Sequence, residues 1–255
     1  MSSWMNVNES YRERLTRAGL VSFDDWMQVA RERERPAGRQ ETFTVFTLDV
    51  DDGFRVYLKR FRPSRPSAWF IVRRSRQRRE AESAQILARL GVPTAEVVAA
   101  GEQRTCGCVS EAFVATKEIT DARPLPEVLQ TLETRADRLA LVGNLAAIVR
   151  RMHDGDYVDH DLYFRNVLVR GAAAGRCELY IIDSPRGGRP WCCLRRKKLR
   201  DLATLNRDAR GVVSRTDRVR FIMTYLGKDR LDRGDRDLCR RIDTRKPWAD
   251  RGKTL

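Results

Sequence analysis

The chain has 255 residues, of which 42% are hydrophobic and 33% charged, enough to bury a sizeable core as one large domain or two packed lobes. Fifty lysines and arginines against thirty-five acids give a formal charge of +15, which favours anionic partners: nucleotide, nucleic acid, phosphorylated glycolipid or an anionic membrane face. No stretch approaches the roughly 20 apolar residues that span a bilayer, and six cysteines without a CxxC pair, beside only two histidines, argue against a zinc site.

The opening MSSWMNVNESYRER shows no basic-then-apolar secretory pattern, so the chain reads as cytoplasmic with reduced thiols. The neighbours Cys192 and Cys193 read as packing residues rather than a redox pair. Residues 1–40 look helical and then polar, with FDDWMQVARERER as the helix, closed by Pro36 and Gly38. ETFTVFTLDVDDGFRVYLKRF alternates on both sides of DDG and predicts a β-hairpin. RQRREAESAQILARLGVPTAEVV predicts a helix stopped by Gly91 and Pro93, then a strand; CVSEAFVATKEI predicts another strand. ARPLPEVL reads as a break, and RADRLALVGNLAAIVRRMHDGD as a long amphipathic helix. CELYIIDSPRGG is a short buried strand ending in an aspartate, and KLRDLATLNRDAR and RVRFIMTYL are periodic helices. Strands around one helix, followed mostly by helices, predict an α+β fold in two segregated lobes. The expected division is 1–118 and 119–255.

Five polar positions carry chemistry. Lys59 ends the second hairpin strand, where an ammonium can hold nucleotide phosphates or simply reach into water. Glu80 and Glu82 lie about 200° apart around the next helix. Glu80 sits above Ala84 and Leu87 on the inward stripe, which makes it the better partner for Lys59. In YVDHDLYFRNVLV, Asp161 stands five residues before Asn166. That spacing can set a carboxylate beside an acceptor hydroxyl while the amide oxygen reaches a metal. Asp183 emerges at the end of LYIID, and so small a set of hard oxygen donors suits Mg2+ bridging phosphates.

This order resembles the protein-kinase signature set: strand lysine, helix glutamate, catalytic-loop Asp and Asn, then a metal-binding Asp. The closer resemblance is to the lipopolysaccharide core heptose kinase (WaaP/InaA-type) family. VYLKRF, REAESAQILARLGVPT, HDLYFRNVLV, LYIIDSPRG and RDLATL…SRTDRVRFIMTYLG carry it, across residues 20–250. The resemblance implies a two-lobed protein-kinase-like fold, with a small β-rich N-lobe holding one key helix and a larger helical C-lobe. It implies an ATP- and Mg2+-dependent phosphotransferase acting on a sugar hydroxyl of the lipopolysaccharide inner core. By those matches Asp161 is the base, Asn166 and Asp183 hold Mg2+, Lys59 holds the ATP phosphates and Glu80 positions Lys59. Lys117, Glu118 and Ile119 form the hinge that meets adenine. Arg165 and Arg186 are the side chains expected to meet an anionic glycolipid or oligosaccharide acceptor. The basic runs at 73–79 and 194–200 suit that acceptor and peripheral contact with the cytoplasmic face of the inner membrane.

The chain departs from the pattern in three places. It lacks a glycine-rich phosphate loop, RERERPAGRQETF offering only Gly38. Asp159 stands where kinases carry a histidine, and D-F-G has become DSPRG, in which Arg186 either binds a phosphate or braces the loop. Asp201 reads as a buried brace for the catalytic loop, and His153 as a helix-end packing residue. Competing readings are a kinase of another acceptor (Kdo, a small molecule or a protein) and a non-catalytic kinase-like binding protein. A nucleic-acid binder would rest on charge alone, with no recognition module to support it.

Overall fold

The computed structural model describes residues 2–33, 43–51, 53–63, 73–173 and 176–245; Pro36, Gly38 and Asp52 of the expected turns lie outside these. The chain divides into two units, 1–85 with 95–119 and 86–94 with 120–255.

The first unit is built on five antiparallel strands: β1 (Ser2–Val7), β2 (Phe43–Asp51), β3 (Phe54–Phe61), β4 (Val97–Thr105) and β5 (Cys108–Lys117), in the order β1-β4-β5-β3-β2. Alternation along β3 buries Phe54, Val56 and Leu58 on one face and turns Lys59 to the other. Two helices precede the hairpin, α1 (Arg12–Arg17) and α2 (Phe23–Glu32). Ser22 starts α2 with a capping box shared with Asp25. The helix then sets Trp26 against Phe113 of β5, with ring centroids 5.2 Å apart. Gly101 of β4 permits this packing, since a Cβ there would fall 2.5 Å from the Phe113 ring and 2.7 Å from Phe23. Helix α3 (Arg76–Arg89) begins where Ser75 accepts from the Arg78 N–H at 3.1 Å. Buried Glu102 fixes Ser75 in turn, through its N–H at 2.6 Å.

The second unit holds β6 (Ala122–Pro124), α4 (Leu125–Thr131), α5 (Arg135–Asp154), a 3-10 turn (Phe164–Asn166), β7 (Val167–Ala173) and β8 (Arg176–Ile181). Helices α6 (Leu194–Ala209), α7 (Arg215–Leu226) and α8 (Arg233–Thr244) follow. Its three strands form an antiparallel sheet, β6-β7-β8. Its core gathers Val149 and Met152 of α5, Leu162 of the following loop, Val167 of β7 and Leu202 of α6. Among the described residues no helix is long and apolar enough to cross a membrane.

Two expected elements differ. Ser2–Val7 is a strand rather than part of a helical start, because β4 offers its free edge from Ala99 to Arg104 as a pairing partner. The expected break ARPLPEVL is strand β6 running into α4. Leu125 opens that helix and Pro126 falls in its first turn, where the missing N–H costs nothing.

Candidate active site

In the first unit, the β3 register sets Lys59 opposite Val114, and its Nζ lies 2.6 Å from Glu80 Oε1. The two side chains are 17% and 7% exposed, so the pair is largely withdrawn from solvent screening. Glu82 faces elsewhere and binds Arg74 and Arg78. Lys117 and Glu118 close β5, their N–H groups committed to the carbonyls of Glu96 at 2.8 Å and Arg55 at 2.9 Å. The Glu118 carboxylate meets the Tyr57 hydroxyl at 3.3 Å, and Ile119 is the half-buried residue that ends the unit.

In the second unit, the stretch 157–167 is anchored by apolar side chains: Tyr157, Val158, Leu162, Tyr163, Phe164 and Val167 are all buried. That anchoring lets the polar residues between them hold fixed positions. Buried Asp201 of α6 accepts from the N–H of Asp159 at 2.8 Å and of His160 at 3.0 Å. His160 sits at φ 68°, a left-handed conformation that these bonds sustain. Buried His153 links Asp201 (Nε2, 3.4 Å) to the hydroxyl of Tyr225 (Nδ1, 2.8 Å). Asp159 accepts from the Asp161 N–H at 3.0 Å and from Ser184 Oγ at 2.5 Å. It therefore ties the loop carrying Asp161 to the residue after Asp183. The Asn166 amide nitrogen donates to the Asp161 carbonyl at 2.8 Å, so both main-chain polar groups of Asp161 are held. Its carboxylate is 15% exposed, with Arg186 Nη1 3.6 Å from Oδ1. Arg165 is exposed and lies over the Tyr163 ring at 4.2 Å. Asp208 accepts from the Phe164 N–H at 3.0 Å and caps the turn that carries Asn166.

The profile of the lipopolysaccharide kinase (Kdo/WaaP) family matches residues 24–225. The chain belongs to that family. It is therefore a lipopolysaccharide kinase, a phosphotransferase that draws on ATP. Among solved structures it is similar to a WaaP in complex with acyl carrier protein. The two share 21% identity over 93% of this chain and 92% of that one, at a TM-score of 0.70. The fold is the α+β, protein-kinase-like fold. A Mycobacterium tuberculosis PknI kinase domain is matched at 16% identity over 76% of this chain and 73% of that one, TM-score 0.41. The search of curated proteins found no match.

In this lipopolysaccharide kinase the electrostatics around Asp161 are uneven. Burial, then the neighbouring charge of Asp201, pushes the Asp159 carboxyl up to about 8, against the hydrogen bonds from Ser184 and Asp161 that favour its ionised form. Burial lowers the pKa of His160, opposed by Asp201 and assisted by Lys197. The donor set suits a hard cation. Asn166 has spent its amide nitrogen on Asp161, which leaves Oδ1 as the atom with lone pairs to offer. The Ile182 N–H donates to the Asn166 carbonyl at 2.9 Å, which brings the residue preceding Asp183 onto Asn166. Among the described residues no group of three or more His, Cys, Asp or Glu gathers as a metal cluster. A cation here would complete its shell with phosphate oxygens and water, as Mg2+ does.

Ser184, Asp208 and Tyr225 carry the site from behind and had no signature of their own. Ser184 had one available clue: an aspartate in the usual histidine place needs a nearby donor.

Proposed function

We propose that this lipopolysaccharide kinase transfers the terminal phosphoryl group of ATP to a sugar hydroxyl, of heptose or a related residue, in the lipopolysaccharide inner core. Residues 1–118 serve as the nucleotide-binding lobe and 119–255 as the lobe with the catalytic loop and metal ligands. Lys59 holds ATP phosphates, and Glu80 fixes the direction of its ammonium. Lys117, Glu118 and Ile119 line the adenine, which meets the groups of that stretch not already spent on Glu96 and Arg55. Asp161 orients the acceptor hydroxyl and takes its proton as the oxygen attacks phosphorus. Asn166 and Asp183 would hold Mg2+, which when bound neutralises phosphate charge. Arg186, beside Asp161, and Arg165 meet anionic groups of the acceptor or the transferring phosphoryl. The enzyme works at the cytoplasmic face of the inner membrane. The solved WaaP was captured with acyl carrier protein, which makes a carrier protein a second candidate partner.

The observation that carries this reading is the fixation of Asp161. Its N–H is held by Asp159 and its carbonyl by Asn166, while its carboxylate points where solvent still reaches it. Positioning of that kind is most of what phosphoryl transfer asks of a protein. Incubation with Mg2+, labelled ATP and phosphate-free core oligosaccharides tests it. Wild type labels the sugar, and Asp161→Asn lowers the rate by about 10²–10⁴. An Asp161→Asn enzyme as fast as wild type sinks the catalytic assignment, and label on protein or another metabolite moves the acceptor.

A further inference from the structure

The segment between Asp183 and α6 ends in Arg189, Pro190, Trp191, Cys192 and Cys193. Trp191 is 94% exposed, far above any other large hydrophobic side chain described. Among the described residues of its unit nothing covers it, although an indole is among the side chains that gain most from leaving water.

Helix α6 then opens with Arg195, Arg196, Lys197 and Lys198 and no acid in its first turn; Cys193 at the cap offers no side-chain bond. Cations at that end oppose the helix dipole, where acids are normally found. Among the described residues Arg195 and Arg196 form no ion pair, and Lys198 reaches only Asp156, at 3.2 Å. Helix α8 ends in further cations, Arg241 and Arg245. Arg245 is lowered in pKa by burial and then by the charges of Arg200, Arg196 and Arg241, so like charge on helix α6 reaches the end of helix α8.

This surface is fastened to the catalytic loop. Val158 and Gly188 exchange both backbone hydrogen bonds at 3.0 Å, and Arg189 Nε donates to the Gly155 carbonyl at 3.1 Å. Lys197 and Arg200 both act electrostatically on His160, next to Asp161.

An exposed indole followed in the chain by a run of cations suits the headgroup layer of a bilayer, where Trp concentrates and Lys or Arg meets lipid phosphate. We propose that residues 189–200, with Arg241 and Arg245, form a docking surface for an anionic bilayer. Trp191 enters the headgroup region and the arginines and lysines meet lipid phosphates, so that the catalytic loop works at the membrane face. This rests on the reading above of a lipopolysaccharide acceptor met at the cytoplasmic face of the inner membrane. That reading is also why a bilayer is preferred to a polyanion in solution.

Full-length chain is co-sedimented with vesicles of phosphatidylcholine alone or mixed with phosphatidylglycerol, at low and high NaCl. Wild type partitions onto the phosphatidylglycerol vesicles, little onto phosphatidylcholine, and salt releases it. Each cation near an anionic surface is worth roughly fivefold in affinity. Arg195→Glu with Arg196→Glu therefore weakens binding by more than about tenfold, and Trp191→Ala by about tenfold. Trp191→Ala keeps the wild-type melting temperature because that side chain is exposed, and the double glutamate variant melts no lower than wild type, because acids at the start of α6 favour the helix dipole. Wild type ignoring phosphatidylglycerol overturns the proposal. So does either variant binding those vesicles as wild type does, or losing affinity for nucleic acid or acyl carrier protein while still binding them. Phosphate transfer to a soluble, deacylated core oligosaccharide is assayed alongside and stays intact in Trp191→Ala. Failure of wild type there speaks against the kinase acceptor, and leaves the vesicle result to be read by itself.

Discussion

Asp159 shows how one side chain sets the conditions for another. Its oxygens hold the Asp161 N–H and the Ser184 hydroxyl, and burial beside Asp201 raises its pKa to about 8. In the unfolded chain the carboxyl ionises near its ordinary value of 3.8. Between those two values the folded form keeps a proton that the unfolded form has released. The group's contribution to stability is therefore full below about pH 4 and is lost as pH rises toward about 8. Asp159→Asn keeps the shape and can give a hydrogen bond to Ser184 while accepting from Asp161. Its melting temperature should accordingly fall less between pH 5 and pH 8 than that of wild type. Phosphate transfer should survive in this variant. Asp159→Ala leaves a buried N–H and hydroxyl without their acceptor, at a cost of about 1–3 kcal/mol each, and should lose both stability and rate. Melting curves at the two pH values decide it, and a variant with the wild-type slope would show that the carboxyl is ionised in the fold.

Helix α3 makes the same point for an element. Its inward stripe is fixed by Ala81 against Ala100 and Val114, and that packing selects which glutamate meets Lys59. Removing one member of a nearly buried pair strands the other, whereas an exposed pair contributes about 0–1 kcal/mol. Glu80→Ala should raise the KM for ATP by at least about tenfold, and Glu82→Ala by less than about twofold, since Glu82 pairs with the partly exposed Arg74 and Arg78. Equal effects in steady-state kinetics would remove the distinction. The helix stripe made Glu80 legible from sequence because 3.6-residue periodicity is local. The spacing of Asp161 and Asn166 was legible for the same reason. Strand β1 was not: SSWMNV has little alternation, and its identity comes from the edge of β4, some ninety residues away. Proline in PLPEVL suggested a break, although the first turn of a helix accepts it. Ser184, Asp208 and Tyr225 were hidden likewise, since each acts on a segment remote in sequence.

At the scale of the molecule the surplus of charge has consequences of opposite sign. Among the described residues the buried acids, Glu80, Glu102, Glu111, Asp159, Asp201, Asp217 and Asp235, outnumber the buried Arg60, so the surface is more basic than the formal +15 conveys. Repulsion among those cations opposes the compact state. It is felt at Arg245, whose charge is opposed by burial and then by Arg200, Arg196 and Arg241. Screening shortens from about 10 Å at 0.1 M salt to about 3 Å at 1 M. Added NaCl should therefore raise the melting temperature while it weakens attachment to anionic vesicles. Sulfate at equal ionic strength should raise the melting temperature further, because a divalent anion can sit among guanidinium groups as well as screen them. Melting curves in NaCl and sodium sulfate, matched in ionic strength, make the comparison. A melting temperature that falls with NaCl would mean that the surface ion pairs outweigh the repulsion. The cationic face would then be a stable part of the folded chain and not a charge kept at a cost for its partner.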